Sequence, residues 1–304
     1  MKNVSILIYH RVLDKPDPLR PSEVDVVRFD AQMKIIRRFF NVIPLSDVEY
    51  ARNGGGLHSR ALAITFDDGY LDNYTNALPV LKKYGLPATF FISTGFLENG
   101  IMWNDVVTET IRATRKSFLD LTNHGLHTYD LQDNRLVTLG RLLSDLKYLP
   151  FDRRKTVIDE LPDMLEVDRC RGLMMSAENV RSMVESGMTV GAHTVNHPIL
   201  SKLSLEDASS EIQTGKAQLE SIVQREVNLF AYPNGKPFID YEDVHVKIVK
   251  ESGFTCAVST SWGVASSGSD IYQLPRFTPW DKSNMKFISR LLRYRFTRGK
   301  EERV

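Results

Sequence analysis

Leu62-Ala63-Ile64-Thr65-Phe66-Asp67-Asp68-Gly69-Tyr70 runs from apolar and β-branched residues directly into two adjacent carboxylates and a glycine. A short run with no polar alternation reads as a strand buried on both faces, as strands are in parallel sheets. The two aspartates then fall at the strand's C-terminal end, where parallel α/β folds build their sites. Successive strand residues point opposite ways, but a turn at the strand end can bring both carboxylates to one pocket. One can then bind a cation while the other takes a proton. The plain alternative is that an aspartate caps a following helix and Gly69 only makes the turn.

Working outward, the same kind of segment recurs at Val4 to Ile8, Val42 to Leu45, Ala88 to Ile92, Thr189 to Ala192, Asn228 to Tyr232 and Thr255 to Val258. Between many of them lie helical patterns: Phe29 to Phe40, Ala77 to Tyr84, Ala208 to Val223 and Val244 to Glu251. Gly85 and Gly253 read as helix stops. Alternating strands and helices imply an α/β sheet, and about seven such strands point to a barrel. From about Asn99 to about Met183 the strand signal fades, and Val106, Ile111, Leu142, Leu146, Val157 and Leu161 suggest helices. The expectation is one catalytic domain over residues 1–304 with a helical insertion at about 99–183.

With 42% apolar and 25% charged residues the composition is that of a globular chain, and the net charge of +1 advertises no nucleic-acid partner. Cys170 and Cys256 lie far apart outside any CxxC spacing, which favours two reduced thiols over a disulfide. The opening Met1-Lys2-Asn3-Val4-Ser5-Ile6-Leu7-Ile8-Tyr9-His10 reads as a first strand and not as a signal peptide. No apolar run approaches a membrane span, so a cytoplasmic location is expected. Gly54-Gly55-Gly56 reads as a surface loop. The basic segment from Ile288 to Lys300 reads as an amphipathic helix, either packed on the body or making peripheral membrane contact.

A second cluster, His193-Thr194-Val195-Asn196-His197, also follows an apolar strand. Histidines four apart share one face of a helical turn and can present two imidazoles to one cation. Two histidines and a carboxylate make a three-ligand site with positions open for water and substrate. Zinc suits this set, and cobalt, nickel or iron can occupy it. The third cluster, Phe230-Ala231-Tyr232-Pro233-Asn234-Gly235, is a strand end and turn that can line a pocket or supply an oxyanion-binding N–H.

Taken together, these clusters resemble the polysaccharide deacetylase family, carbohydrate esterase family 4. The resemblance runs from Ile6 to about Asp281, outside the insertion, and rests on Thr-Phe-Asp-Asp-Gly and His-Thr-x-x-His in this order. Tyr9-His10 matches a branch that handles extracellular or surface polysaccharides. The resemblance implies a distorted (β/α)7-type barrel, a divalent metal and hydrolysis of N-acetyl groups on amino sugars. It makes Asp67 the base, Asp68, His193 and His197 the metal ligands, and the backbone at Tyr232 part of the oxyanion site.

Two family features are missing. No arginine opens the third cluster, and no Leu-x-His lies near the C-terminus to supply an acid. Arg276, in Leu274-Pro275-Arg276, is the candidate to orient Asp67. His10, at the end of the first strand, is the candidate acid or substrate ligand. Structural roles for both stand beside these. His58, His124, His127 and His245 are expected at the surface, and Trp103, Trp262 and Trp280 are candidate sugar-stacking rings. The expected reaction is metal-dependent removal of N-acetyl groups from a polysaccharide, oligosaccharide or carrier-linked glycan. A metal-dependent amidase acting on a small substrate, and a non-catalytic carbohydrate-binding protein, remain the alternatives.

Overall fold

A computed structural model describes residues 3–48, 50, 60–279, 281 and 283–294. Gly54-Gly55-Gly56, His58, Trp280 and the end of the basic C-terminal segment lie outside the described residues. The chain divides into two compact units. The first takes in Met1–Pro16, Ser22–Glu98 and Met175–Val304, the second Asp17–Pro21 and Asn99–Met174.

The first unit is a nearly closed barrel of seven parallel strands. In chain order these are β1 (Val4–Tyr9), β2 (Ala61–Phe66), β3 (Thr89–Ile92), β4 (Thr189–Ala192), β5 (Leu229–Ala231), β6 (Cys256–Trp262) and β7 (Leu274–Arg276). Each pairs with the next, and the circuit returns to β1 through Phe277, whose N–H donates to Ile6 O at 3.0 Å and whose carbonyl accepts from Ile8 N–H at 3.1 Å. The helices of this unit are α1 (Val26–Phe39), α2 (Leu78–Tyr84), α3 (Ala177–Glu185), α4 (Leu205–Val223), α5 (Asp243–Glu251) and α6 (Asn284–Tyr294).

Strand alternation sorts the apolar residues into two cores. Val4, Ile6, Ala61, Ala63, Leu229, Ala231 and Leu274 share one cluster, the barrel interior. Leu7, Tyr9, Leu62, Ile64 and Phe66 face the other way, packed with Phe29, Met33 and Ile36 of α1. The same period of two carries Thr65 and Asp67 onto the interior face at the end of β2, and Arg276 onto it at the end of β7. Local signals set the helix ends: Asp25 caps α1 by accepting from Arg28 N–H, and Gly85 closes α2 in the left-handed region at φ 62°.

Two strand readings change. Val42 to Leu45 is not a barrel strand. Only Asn41–Val42 pairs, beside the start of β2, and Leu45–Asp47 turns into a 3₁₀ segment. The seventh barrel strand is instead Leu274–Arg276, too short and proline-centred to carry a strand signal of its own.

The second unit packs helices Trp103–Ala113, Arg135–Lys147 and Phe151–Met164 around Ile111, Leu142, Leu146 and Leu161. It also holds an antiparallel pair, Phe118–Asp120 with Thr128–Asp130. Arg20 ties its short N-terminal piece in, reaching Asp105 and Glu109 at 2.6 Å each. The unit stops at Met174 and not near Met183, because α3 buries Val180 and Met183 in the core of the first unit. Trp103 packs on this unit's core beneath the Arg154 guanidinium, a structural setting. Neither cysteine is in a disulfide. No helix among the described residues is long and apolar enough to cross a membrane.

Candidate active site

The strand ends of β1, β2, β4 and β7 bring the chemistry-bearing residues together. Asp67 N–H donates to Tyr9 O at 2.9 Å, which fixes the start of the turn after β2. Asp68 then takes φ 79° and Gly69 φ 93°. This left-handed step points the two neighbouring carboxylates in different directions.

Asp67 stays on the interior face, 3% exposed, where Arg276 meets it. Nη1 and Nη2 of Arg276 donate to Oδ1 and Oδ2 of Asp67 at 2.7 Å each. Arg276 also donates from Nε to Ser259 O at 2.9 Å and from Nη1 to Thr65 Oγ1 at 3.1 Å. Burial alone would raise the Asp67 pKa. The Arg276 charge and its hydrogen bonds, helped by His193 and His10, hold it below the usual carboxylate range.

Asp68 turns toward the histidines. Its Oδ1 lies 3.5 Å from His193 Nε2 and 3.4 Å from His197 Nε2, and one ligand atom from each residue lies within 4.8 Å of the others. That oxygen is buried without a hydrogen-bond partner among the described residues. An orphaned buried oxygen facing two imidazole nitrogens is a costly arrangement unless something is bound between them. An ion held tetrahedrally at about 2.0–2.1 Å would separate neighbouring ligand atoms by about 3.4 Å, so these donors fit a zinc-like cation. Their protonation also fits. Burial pushes the His197 pKa down to about 3, leaving a neutral ring. The Asp68 pKa is held below the usual carboxylate range, because the His193 hydrogen bond and the surrounding rings of His197 and His10 outweigh its burial. His193 Nδ1 bonds the Ala231 carbonyl at 2.7 Å, which presents Nε2 toward Asp68.

The histidines do not sit on a helical turn. His193 to His197 is an irregular loop with Thr194 at φ 65° and His197 at φ 51°. Left-handed backbone at a β-branched residue and at a histidine costs on the order of 1–3 kcal/mol each, and the surroundings must impose it. The loop is tied by Thr94 N–H to Thr194 O at 3.2 Å, Gly95 N–H to Val195 O at 2.9 Å, and Ser93 Oγ to His193 O at 2.9 Å.

His10 lies at the same end of the barrel, lining a cavity of about 160 Å³ with Glu23, Ser22 and Thr278. Burial would lower its pKa, but the carboxylates of Asp68, Asp67 and Glu23 outweigh this and raise it. Glu23 escaped the sequence reading because it is distant from every motif and reaches His10 only through the fold. Tyr232 N–H donates to Val258 O at 3.2 Å within the barrel ladder, and its buried ring stacks on Tyr241 with centroids 3.9 Å apart. His245 is buried too, with Nδ1 accepting Glu242 N–H at 3.0 Å at the start of α5. Trp262 ends β6 and is 42% exposed.

A parallel barrel whose strand ends carry an Asp-His-His cluster beside a clamped carboxylate is thus the frame of the chain. The sequence profile described as "Polysaccharide deacetylase" matches residues 54–257, and the chain belongs to the polysaccharide deacetylase family. Among curated proteins it is similar to "Putative polysaccharide deacetylase YxkH" of Bacillus subtilis, 22% identical over 217 residues, 71% of this chain and 50% of the relative. It is also similar to poly-beta-1,6-N-acetyl-D-glucosamine N-deacetylase of Staphylococcus aureus, 31% identical over 113 residues, 35% of this chain and 37% of the relative. The chain therefore spans half or less of the length of these curated relatives. Among solved structures, the Streptococcus pyogenes deacetylase PplD in complex with acetate superposes with a TM-score of 0.65 at 20% identity, covering 97% of this chain and 99% of that one. IcaB from Ammonifex degensii gives 0.62 at 19% identity, covering 97% and 98%. These two share the barrel fold with this chain.

Proposed function

We propose that the chain is a metal-dependent carbohydrate N-deacetylase acting on N-acetylated amino sugars of a polysaccharide, oligosaccharide or carrier-linked glycan. The observation that carries the reading is the division of labour between adjacent carboxylates: Asp68 faces His193 and His197 while Asp67 is clamped by Arg276. The name of the Staphylococcus aureus relative supports a β-1,6-linked N-acetylglucosamine polymer as the first substrate to try.

Asp68, His193 and His197 would hold the cation, with Zn²⁺ first in preference and Co²⁺, Ni²⁺ or Fe²⁺ able to replace it. A divalent cation held there would lower the pKa of water and polarise a carbonyl. Asp67 accepts the proton of the attacking water, and Arg276 keeps its carboxylate ionised and aimed. His10, raised in pKa by the carboxylates around it, donates the proton that lets the sugar amine leave. The products are acetate and a free amino sugar.

The test is acetate release from a panel of N-acetylated sugars, β-1,6-linked oligosaccharides and carrier-linked sugars, using metal-stripped protein with and without Zn²⁺. Release that requires the ion and disappears in Asp67→Asn is the expected result. Release unaffected by chelation, or equal in Asp67→Asn, would sink the reading.

A further inference from the structure

The histidine loop is held by a residue that lies in no motif. Val195 N–H and Asn196 N–H both donate to Oε2 of Glu211, at 2.9 and 2.8 Å, and Asn196 Nδ2 donates to Oε1 at 2.7 Å. One carboxylate on α4 thus takes three donors from the residues between the two histidines. Consecutive N–H groups converging on one oxygen form an anion-binding concavity, and bonds to an ionised acceptor are the strong kind. The rest of that helix face is shaped to the same loop. A Cβ on Gly215 would stand 2.8 Å from Thr194 C, so the helix comes close only because that position is bare. One turn further, Gln218 Oε1 accepts from Thr94 Oγ1 at 2.5 Å. Glu211, Gly215 and Gln218, at i, i+4 and i+7, make one stripe along α4.

We infer that Glu211 is a positioning residue for the metal site: its carboxylate imposes the left-handed turn at Thr194 and His197 that sets both imidazoles opposite Asp68. It touches neither imidazole and acts through the backbone between them. The inference rests on the metal site proposed above. A loop with two non-glycine residues at positive φ has alternatives available to it, and without the carboxylate the free N–H groups of Val195 and Asn196 can turn to water.

The experiment measures the zinc affinity of the full chain by competition with a chromophoric chelator, with metal-free melting recorded alongside. Glu211→Gln keeps the side chain's shape but removes its charge and one acceptor oxygen. It is expected to bind Zn²⁺ about 10–100-fold more weakly than the wild type while still folding. Asn196→Ala, which removes only the bond to Oε1, should show a smaller loss in the same direction, and serves if Glu211→Gln is too unstable to purify. The exposed Glu206→Gln, on the first turn of the same helix, should bind as the wild type does. Wild-type affinity in both Glu211→Gln and Asn196→Ala, even with lowered melting temperatures, would reduce Glu211 to a structural residue and leave the metal site intact. A wild-type chain that binds no zinc would overturn the site itself and the role of Glu211 with it.

Discussion

Arg276 and Asp67 are 209 positions apart and meet inside the barrel through two parallel hydrogen bonds of 2.7 Å, one from each terminal nitrogen to each oxygen. Both side chains are almost fully buried. A buried pair of this kind is costly to break from one side, because the remaining charge keeps its desolvation penalty. Arg276→Met is expected to lose about 3–5 kcal/mol of stability at pH 7. The sign with pH follows from the depressed native pKa of Asp67. The pair's stabilisation is present above the unfolded carboxylate value of about 3.9 and is lost as pH falls toward the native value. Without the guanidinium, burial raises the carboxyl, so the acid limb of kcat/KM for acetate release should move to higher pH. Urea unfolding and a pH–rate profile check both halves. An acid limb that stays in place would remove Arg276 from the reaction.

His10 has no motif partner in sequence, yet it shares a cavity with Glu23 at the mouth of the barrel. His10→Gln should lower kcat for acetate release about 10²–10⁴-fold, the range for loss of a proton-transfer group. Zinc affinity should be unchanged, since His10 lies outside the ligand set. Turnover within a few-fold of wild type would dismiss the role.

Two helical glycines should respond to alanine with opposite signs. A methyl added at Gly140, in helix Arg135–Lys147, would meet no atom of the described residues within 4 Å. Gly140→Ala is expected to stabilise by about 0.5–1 kcal/mol through helix propensity. Gly215→Ala gains the same propensity but drives a methyl to 2.8 Å from the Thr194 backbone. It should destabilise by about 1–3 kcal/mol and weaken zinc binding. Thermal melts and the chelator competition separate the two.

His245 is buried and accepts the Glu242 N–H, so it must be neutral, and burial holds its pKa below the ordinary value. A depressed native pKa means the unfolded chain takes up the proton first. The contribution to stability is complete above about pH 6.5 and is lost as pH falls below it. His245→Gln should therefore show a shallower loss of stability between pH 7 and pH 5 than the wild type, read by urea midpoints across that range. Parallel curves would mean that His245 does not titrate in the way its burial implies.

Much of this site was legible because its parts are contiguous and sit at strand ends. Thr65-Phe66-Asp67-Asp68-Gly69 and His193 to His197 each carry the strand and its functional turn within a few residues. The barrel was readable from the same segments, since strands buried on both faces are apolar throughout. What the sequence could not decide was what depends on partners distant along the chain. The spacing of His193 and His197 suggests a helix, but the loop adopts left-handed turns, is hydrogen-bonded by Glu211 and Gly95, and fits against α4 where Gly215 leaves room. The Tyr232 N–H bonds Val258 O on the neighbouring strand, a pairing that no local pattern announces. Arg276 could be named as a candidate but not placed, because Leu274-Pro275-Arg276 becomes a strand only when β6 and β1 flank it. The sequence by itself thus determined the strand-end carboxylates and imidazoles, which depend on local apolar pattern and turn chemistry. Tertiary structure alone decided which of them meet, because closing a barrel joins residues that no local interaction connects.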